Sequence, residues 1–101
     1  VIDRNFIQID GNTEKIMPLE KLKAKITRFN WQVLEADGHD YDDLSKKFNK
    51  AKISQQPTAI IAKTIPGEGI KFIENDYRWH GKAPNKKEYE RGLKAIINYQ
   101  V

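Results

Sequence analysis

The sequence predicts an α/β domain arranged as three layers, with helices on both faces of a parallel sheet. Amphipathic helical stretches alternate with short strand-like stretches, the pattern of βαβ units. One of the strands, TAIIAKT, contains the unbroken apolar run Ala59–Ile60–Ile61–Ala62. Such a run marks a strand buried on both faces, as parallel sheets require. At 101 residues, 39% hydrophobic and 32% charged, the chain has the balance of a folded, soluble domain.

The elements follow in order. VID, residues 1–3, reads as the last residues of a strand. Three strands make a thin sheet, so further strands are expected upstream. PLEKLKAKITRFN reads as a helix with Leu19, Leu22, Ile26 and Phe29 on one face and Lys and Arg on the other. Pro18 suits its first turn, where a missing N–H costs nothing. WQVLEA, residues 31–36, is the second strand. DYDDLSKKFNKAK is a helix with Tyr41, Leu44, Phe48 and Ala51 on one stripe, capped by Asp40, with Asp43 in the first turn. TAIIAKT, residues 58–64, is the third strand. A connection from Thr64 to Asn85 follows, long enough to suggest a function. NKKEYERGLKAIINY closes the chain as a helix with Asn85 as cap, Glu88 completing part of a capping box, and Tyr89, Leu93, Ile96 and Ile97 on its apolar face.

The composition narrows the function classes. Without cysteine there is no disulfide and no thiolate metal site. No apolar run approaches bilayer length and no signal peptide is present, so neither a membrane nor secretion is expected. The absence of cysteine fits the cytoplasm. The net charge is +4, but the lysines are interleaved with acids. With no arginine cluster and no aromatic stacking platform, solvated helical faces are expected rather than a nucleic-acid site.

In open α/β sheets, ligands bind beyond the carboxyl ends of the strands. Three segments leave those ends: RNFIQIDGNTEK, DGHD and IPGEGIKFIENDYRWHGKAP. Asn5 and His80 therefore belong to one edge of the sheet. Asn5 reads in two ways: as a turn residue bonded to its own backbone, or, with the Ile7 carbonyl, as an oxygen ligand to a hard cation. In ADGHD, Asp37, His39 and Asp40 read as metal ligands or, more simply, as a glycine turn followed by a helix cap. PGEG lacks the length and the Lys-Ser/Thr of a phosphate-binding loop and reads as a tight turn. His80 is either a general acid or base, or a brace for its loop. Trp79 reads as a packing anchor, and Lys82 as solvated.

Taken together, DRNFIQIDG, VLEADGHDYDDL, PTAIIAKTIPGEGIKFIENDYRWHGKAPN and YERGL resemble transketolase, and more narrowly the N-terminal subunit of transketolases split over two chains. The resemblance covers nearly the whole chain. QIDG and WHGKAPN, in this order, are its most specific parts, whereas DGHD is shared with related families. It implies that residues 1–101 are the C-terminal part of a Rossmann-like, diphosphate-binding domain. In that family thiamine diphosphate is held through Mg²⁺ or Ca²⁺. Asn5 matches the side-chain metal ligand and Ile7 the backbone-carbonyl ligand. Ile9 falls where a side chain lies against the cofactor rings. His80 matches the histidine that reaches the cofactor diphosphate and the substrate.

The reaction the resemblance implies is transfer of a two-carbon ketol unit from a ketose phosphate to an aldose phosphate, in the pentose phosphate pathway. The expected partner is a C-terminal transketolase subunit or domain, in a homodimer or heterotetramer. The end of the chain at INYQV, with no linker, fits the split form. There are departures. Pro66 stands where some members carry a cofactor-contacting lysine. The upstream Gly-Asp-Gly motif, the family's other active-site histidines and the activating glutamate are not in this sequence, so the segment alone is expected to be inactive. Two alternatives stand beside this reading: a sibling enzyme of the dihydroxyacetone or deoxyxylulose phosphate synthase type, and a non-catalytic binding or assembly module whose basic helical face meets an acidic partner.

Overall fold

The computed structural model describes residues 1–99. In chain order the elements are β1 (Ile2–Arg4), β2 (Ile7–Gln8), β3 (Gly11–Asn12), α1 (Thr13–Ile16), α2 (Leu22–Thr27), β4 (Gln32–Asp37), α3 (Tyr41–Lys52), β5 (Thr58–Lys63), a 3₁₀ turn (Tyr77–Trp79) and α4 (Lys86–Ile97). They form two compact units. Val1–Asn5 with Pro18–Thr64 make the first, and Phe6–Met17 with the residues from Ile65 onward make the second.

The first unit is the expected α/β layer structure. Its parallel sheet has the order β1-β5-β4, with Ile2 opposite Ile61 and Leu34 opposite Ile60. β5 is central, and Ala59, Ile60, Ile61 and Ala62 are all buried, as the apolar run requires. The chain crosses from β1 to β4 and then steps back to β5. Two right-handed crossovers in opposite directions put their helices on opposite faces. Accordingly, Leu44 and Ala51 of α3 pack on Leu34, Ala36 and Ile60. On the other face, Lys23 of α2 reaches Glu35 at 2.6 Å. Arg4, on that second face, is buried and its guanidinium meets the Glu20 carboxylate at 2.9 Å. Because the strands are parallel, Arg4, Asp37 and Lys63 end them at the same edge.

The helices of this unit depart from the expected stripes. α2 begins only at Leu22, so Pro18 and Leu19 precede it instead of forming its first turn. The helix has no side-chain cap, and it ends before Phe29, where Asn30 takes the left-handed conformation (φ 62°). Phe29 therefore projects outside the helix, 78% exposed, while Leu22 and Ile26 are half-buried. In α3 the Asp40 cap is as expected: its carboxylate accepts the N–H groups of Asp42 and Asp43, each at 2.9 Å. Tyr41 and Phe48 stay exposed because the buried patch beneath the helix is only three side chains wide, and Leu44 and Ala51 cover it.

The second unit holds what sequence periodicity did not show. β2 and β3 form a hairpin, with Ile7 opposite Asn12 and Gln8 opposite Gly11, and Ile9 and Asp10 at its tip. Each strand has two residues, too short for an alternating pattern to register. Asn12 caps α1 by accepting the Glu14 N–H at 2.9 Å, and β3 lies against the 3₁₀ turn. PGEG is a tight turn, as expected. Gly67 (φ 78°) has its carbonyl bonded by the Ile70 N–H at 3.0 Å. A Cβ at Gly67 would come within 2.7 Å of the Ile73 side chain. α4 carries a full capping box: Glu88 N–H donates to the Asn85 side chain at 3.0 Å, and Asn85 N–H to the Glu88 carboxylate at 2.8 Å. Its apolar residues Tyr89, Leu93, Ile96 and Ile97 are exposed. In the closing INYQV stretch, Tyr99 bonds Glu68 at 2.5 Å, while Gln100 and Val101 lie outside the described residues.

Ile60→Ala is expected to cost about 3 kcal/mol, as buried Ile truncations do, because Ile60 fills the centre of the α3 face. Asn85→Ala is expected to cost about 1 kcal/mol through loss of the α4 cap. Urea unfolding of each variant beside the parent protein checks both values.

Candidate functional site

The residues that follow β1 combine a fixed anchor with a strained turn. Arg4 is buried and held by Glu20. Asn5 follows, half-buried. Phe6 then takes the left-handed conformation with φ 63°, unusual for a bulky residue. Its carbonyl accepts the Thr13 N–H at 2.9 Å and the Thr13 hydroxyl at 3.4 Å, which hold the turn. Such a conformation costs roughly 1–3 kcal/mol and tends to persist where function selects it. The strained residue stands between Asn5 and Ile7, the two candidate oxygen ligands. Ile7 is half-buried on β2, and Ile9 is 69% exposed at the hairpin tip.

An amide oxygen and a backbone carbonyl are neutral donors. They suit a hard cation that takes its remaining oxygens from carboxylate, water and phosphate. Among the described residues there is no group of three or more His, Asp or Glu able to hold a metal by themselves.

His80 sits in a segment held at both sides of it. Asp76 caps the 3₁₀ turn by accepting the Arg78 N–H at 3.0 Å, and it also binds the Arg78 guanidinium at 2.6 Å. The Trp79 ring meets Phe72 edge-on, with centroids 5.7 Å apart and planes at 71°. The Lys82 ammonium lies 4.0 Å from the Trp79 ring centre and 2.5 Å from the Glu88 carboxylate. Arg91 stacks on Phe72 at 4.2 Å. Trp79 is thus the packing anchor its sequence suggests. Lys82 is not simply solvated: an aromatic face and a carboxylate hold its charge. The His80 backbone N–H donates to the Tyr77 carbonyl at 2.9 Å. Its imidazole is exposed and makes no hydrogen bond among the described residues. The backbone bond braces the segment, and the side chain stays exposed.

DGHD does what a turn and cap require. The Asp37 carboxylate accepts the His39 N–H at 2.9 Å, and the Asp37 N–H donates to Asp43 at 3.0 Å. A Cβ at Gly38 would fall 2.7 Å from the Lys63 carbonyl oxygen, so glycine is needed there. Of the candidate site residues, Ile7, Ile9 and His80 belong to one compact unit, and Asn5 belongs to the other. No helix among the described residues is long and apolar enough to cross a membrane.

The chain is similar to transketolases and to transketolase subunits. A family model described as transketolase, thiamine diphosphate binding domain, matches residues 1–99. An apulose-4-phosphate transketolase subunit of Phocaeicola vulgatus is 33% identical over 97 residues, which are 95% of this chain and 34% of that protein. A 6-deoxy-6-sulfo-D-fructose transketolase subunit of a Clostridium species is 38% identical over 96 residues, 94% of this chain and 34% of that protein. The chain thus spans about a third of the length of these relatives. Among solved structures, transketolase from Campylobacter jejuni superposes with a TM-score of 0.83 at 28% identity, covering 94% of this chain and 15% of that one.

Two expectations follow. Phe6→Ile, which puts a β-branched residue at positive φ, is expected to destabilise the turn more than Phe6→Gly does; thermal unfolding of the two variants ranks them. The second concerns acid. The Arg78 guanidinium holds the Asp76 carboxyl below its ordinary value of 3.8, and Lys82 with the Asn85 N–H holds Glu88 below its ordinary 4.5. A depressed folded-state pKa means the unfolded chain binds the proton more readily. The stabilisation is therefore complete above the ordinary values and is lost as pH falls through the lower, folded ones. Trp79 fluorescence followed during acid titration is expected to hold steady down to about pH 5 and change below it; a transition centred above that contradicts the assignment.

Proposed function

The chain belongs to the transketolase family, within its thiamine diphosphate-binding domain, and we propose that it is the C-terminal part of that domain in a working transketolase. The family match over residues 1–99 carries this reading, because it spans nearly the whole chain, including the motifs that bear Asn5, Ile7 and His80. In the proposed enzyme, the Asn5 amide oxygen and the Ile7 carbonyl oxygen are two ligands of a divalent cation, Mg²⁺ or Ca²⁺, that neutralises the cofactor diphosphate. Ile9 offers an apolar side chain to the cofactor rings. The exposed imidazole of His80 donates to a diphosphate oxygen and binds the ketose donor.

Bound thiamine diphosphate supplies the nucleophilic carbon and the electron sink. The residues of this chain orient and neutralise. Neutral ligands at Asn5 and Ile7 leave the positive charge of the cation available to phosphate oxygens, where it is needed. Asn5 follows a buried, paired Arg4, and Ile7 follows a left-handed residue, which supports a fixed backbone on either side of the proposed ligands. His80 carries a proton to or from the substrate oxygen, or stabilises charge developing there.

The reaction proposed is transfer of a two-carbon ketol unit from a ketose phosphate to an aldose phosphate, as in the cytoplasmic pentose phosphate pathway. The two relatives named as subunits support a partner polypeptide that carries the rest of the active site. Their names give two different ketoses, which favours, as a second reading, the same transfer from a different donor.

Calorimetry of thiamine diphosphate binding in Mg²⁺, using the protein extended to its natural start and mixed with its partner, tests the metal role. Asn5→Ala is expected to weaken binding at least about tenfold, the size of losing one metal-site interaction. Unchanged affinity in the variant would remove Asn5 from the site. Failure of the parent protein to bind would count against the family activity itself. A panel of ketose phosphates assayed with the same complex separates the two donor readings.

A further inference from the structure

The contact between Trp79 and Lys82 closes a four-residue turn with His80 and Gly81 at its centre. Lys82 folds back until its ammonium lies 4.0 Å from the centre of the Trp79 ring. The other end of that cation meets Glu88, the carboxylate that also caps α4, at 2.5 Å. The Trp79 ring also meets Phe72 in a T-shaped contact, and Arg91 of α4 lies over the Phe72 ring. A line of contacts therefore runs from α4 through Phe72, Trp79 and Lys82 and returns to α4 at Glu88. A Cβ built at Gly81 meets no atom within 4 Å, and residues 80–87 are all exposed.

We propose that Trp79 is a positioning residue for His80: its ring, held by contacts with Phe72 and Lys82, fixes where the imidazole stands in the proposed transfer reaction. This rests on the role given to His80 above. Misplacement of a reacting group by about 1 Å is enough to cost on the order of a hundredfold in rate, so a small contact here has a large lever. Trp79 acts through His80 and touches no substrate itself.

A double-mutant cycle in the assembled two-chain enzyme tests this. Trp79→Leu is expected to lower kcat/KM between about ten- and a hundredfold. In a His80→Ala background the same change is expected to cost less than about twofold, because residues acting through one another are not additive. Trp79→Phe, which keeps an aromatic face for Lys82, is expected to restore most of the activity. Glu88→Gln supplies a variant that keeps the α4 cap, since Gln also serves in a capping box, but weakens the hold on Lys82. It is expected to follow Trp79→Leu in direction, and to move the ¹⁹F resonance of a fluorotryptophan at position 79. Equal losses from Trp79→Leu in both backgrounds would overturn the positioning role while leaving His80 in the site. A His80→Ala variant with full activity would overturn the role of His80 and the positioning role together.

Discussion

Burial of β5 between two parallel neighbours is the constraint on which the first unit depends. Ala59, Ile60, Ile61 and Ala62 can lose contact with water only if both faces of their strand are covered and both edges are paired. Pairing with β1 and β4 in parallel forces the chain to return by crossovers, since a hairpin cannot join parallel strands. The two crossovers run in opposite directions, so their helices cover opposite faces. The same parallelism brings the carboxyl ends of β1, β4 and β5 to one edge. The segments bearing Asn5 and His80 both leave from there.

The parts of this fold that were legible in the sequence are those enforced by burial or by capping. The apolar run of β5 announced a doubly covered strand. Asp40 and Asn85 announced helix starts because an orphaned N–H at a helix N-terminus needs an oxygen. Where neither force acts strongly, the pattern misled. Leu19 and Phe29 fit the stripe of α2, but the helix has no cap and little sheet to cover, and it shortens to Leu22–Thr27. The β2–β3 hairpin was silent because two-residue strands carry no periodicity, and Phe6 gave no warning of its positive φ, since its residue type disfavours it.

The candidate site divides in the same way. Side-chain chemistry left Asn5, Ile7 and His80 with an ordinary structural reading beside the chemical one, and Ile9 was reached through motif resemblance alone. In the folded chain the His80 backbone is braced by the Tyr77 carbonyl and the residue is exposed. Between Asn5 and Ile7 stands Phe6 in the left-handed conformation. The surroundings of His80 were harder to foresee. Lys82 looked like one more surface lysine, and only the folded segment places its charge on the ring of Trp79 and against Glu88. Contacts of this kind depend on how a loop turns back, and spacing along a chain does not encode that directly.

The central claim is that this chain supplies neutral oxygen ligands and an imidazole to a thiamine diphosphate site. A crystal structure of the full-length protein with its partner subunit, thiamine diphosphate and Mg²⁺ tests it most directly. The expected result is the Asn5 amide oxygen and the Ile7 carbonyl oxygen each about 2.1 Å from the cation, with the His80 imidazole in hydrogen-bond reach of the diphosphate. A cofactor held by a cation that neither Asn5 nor Ile7 touches would contradict it.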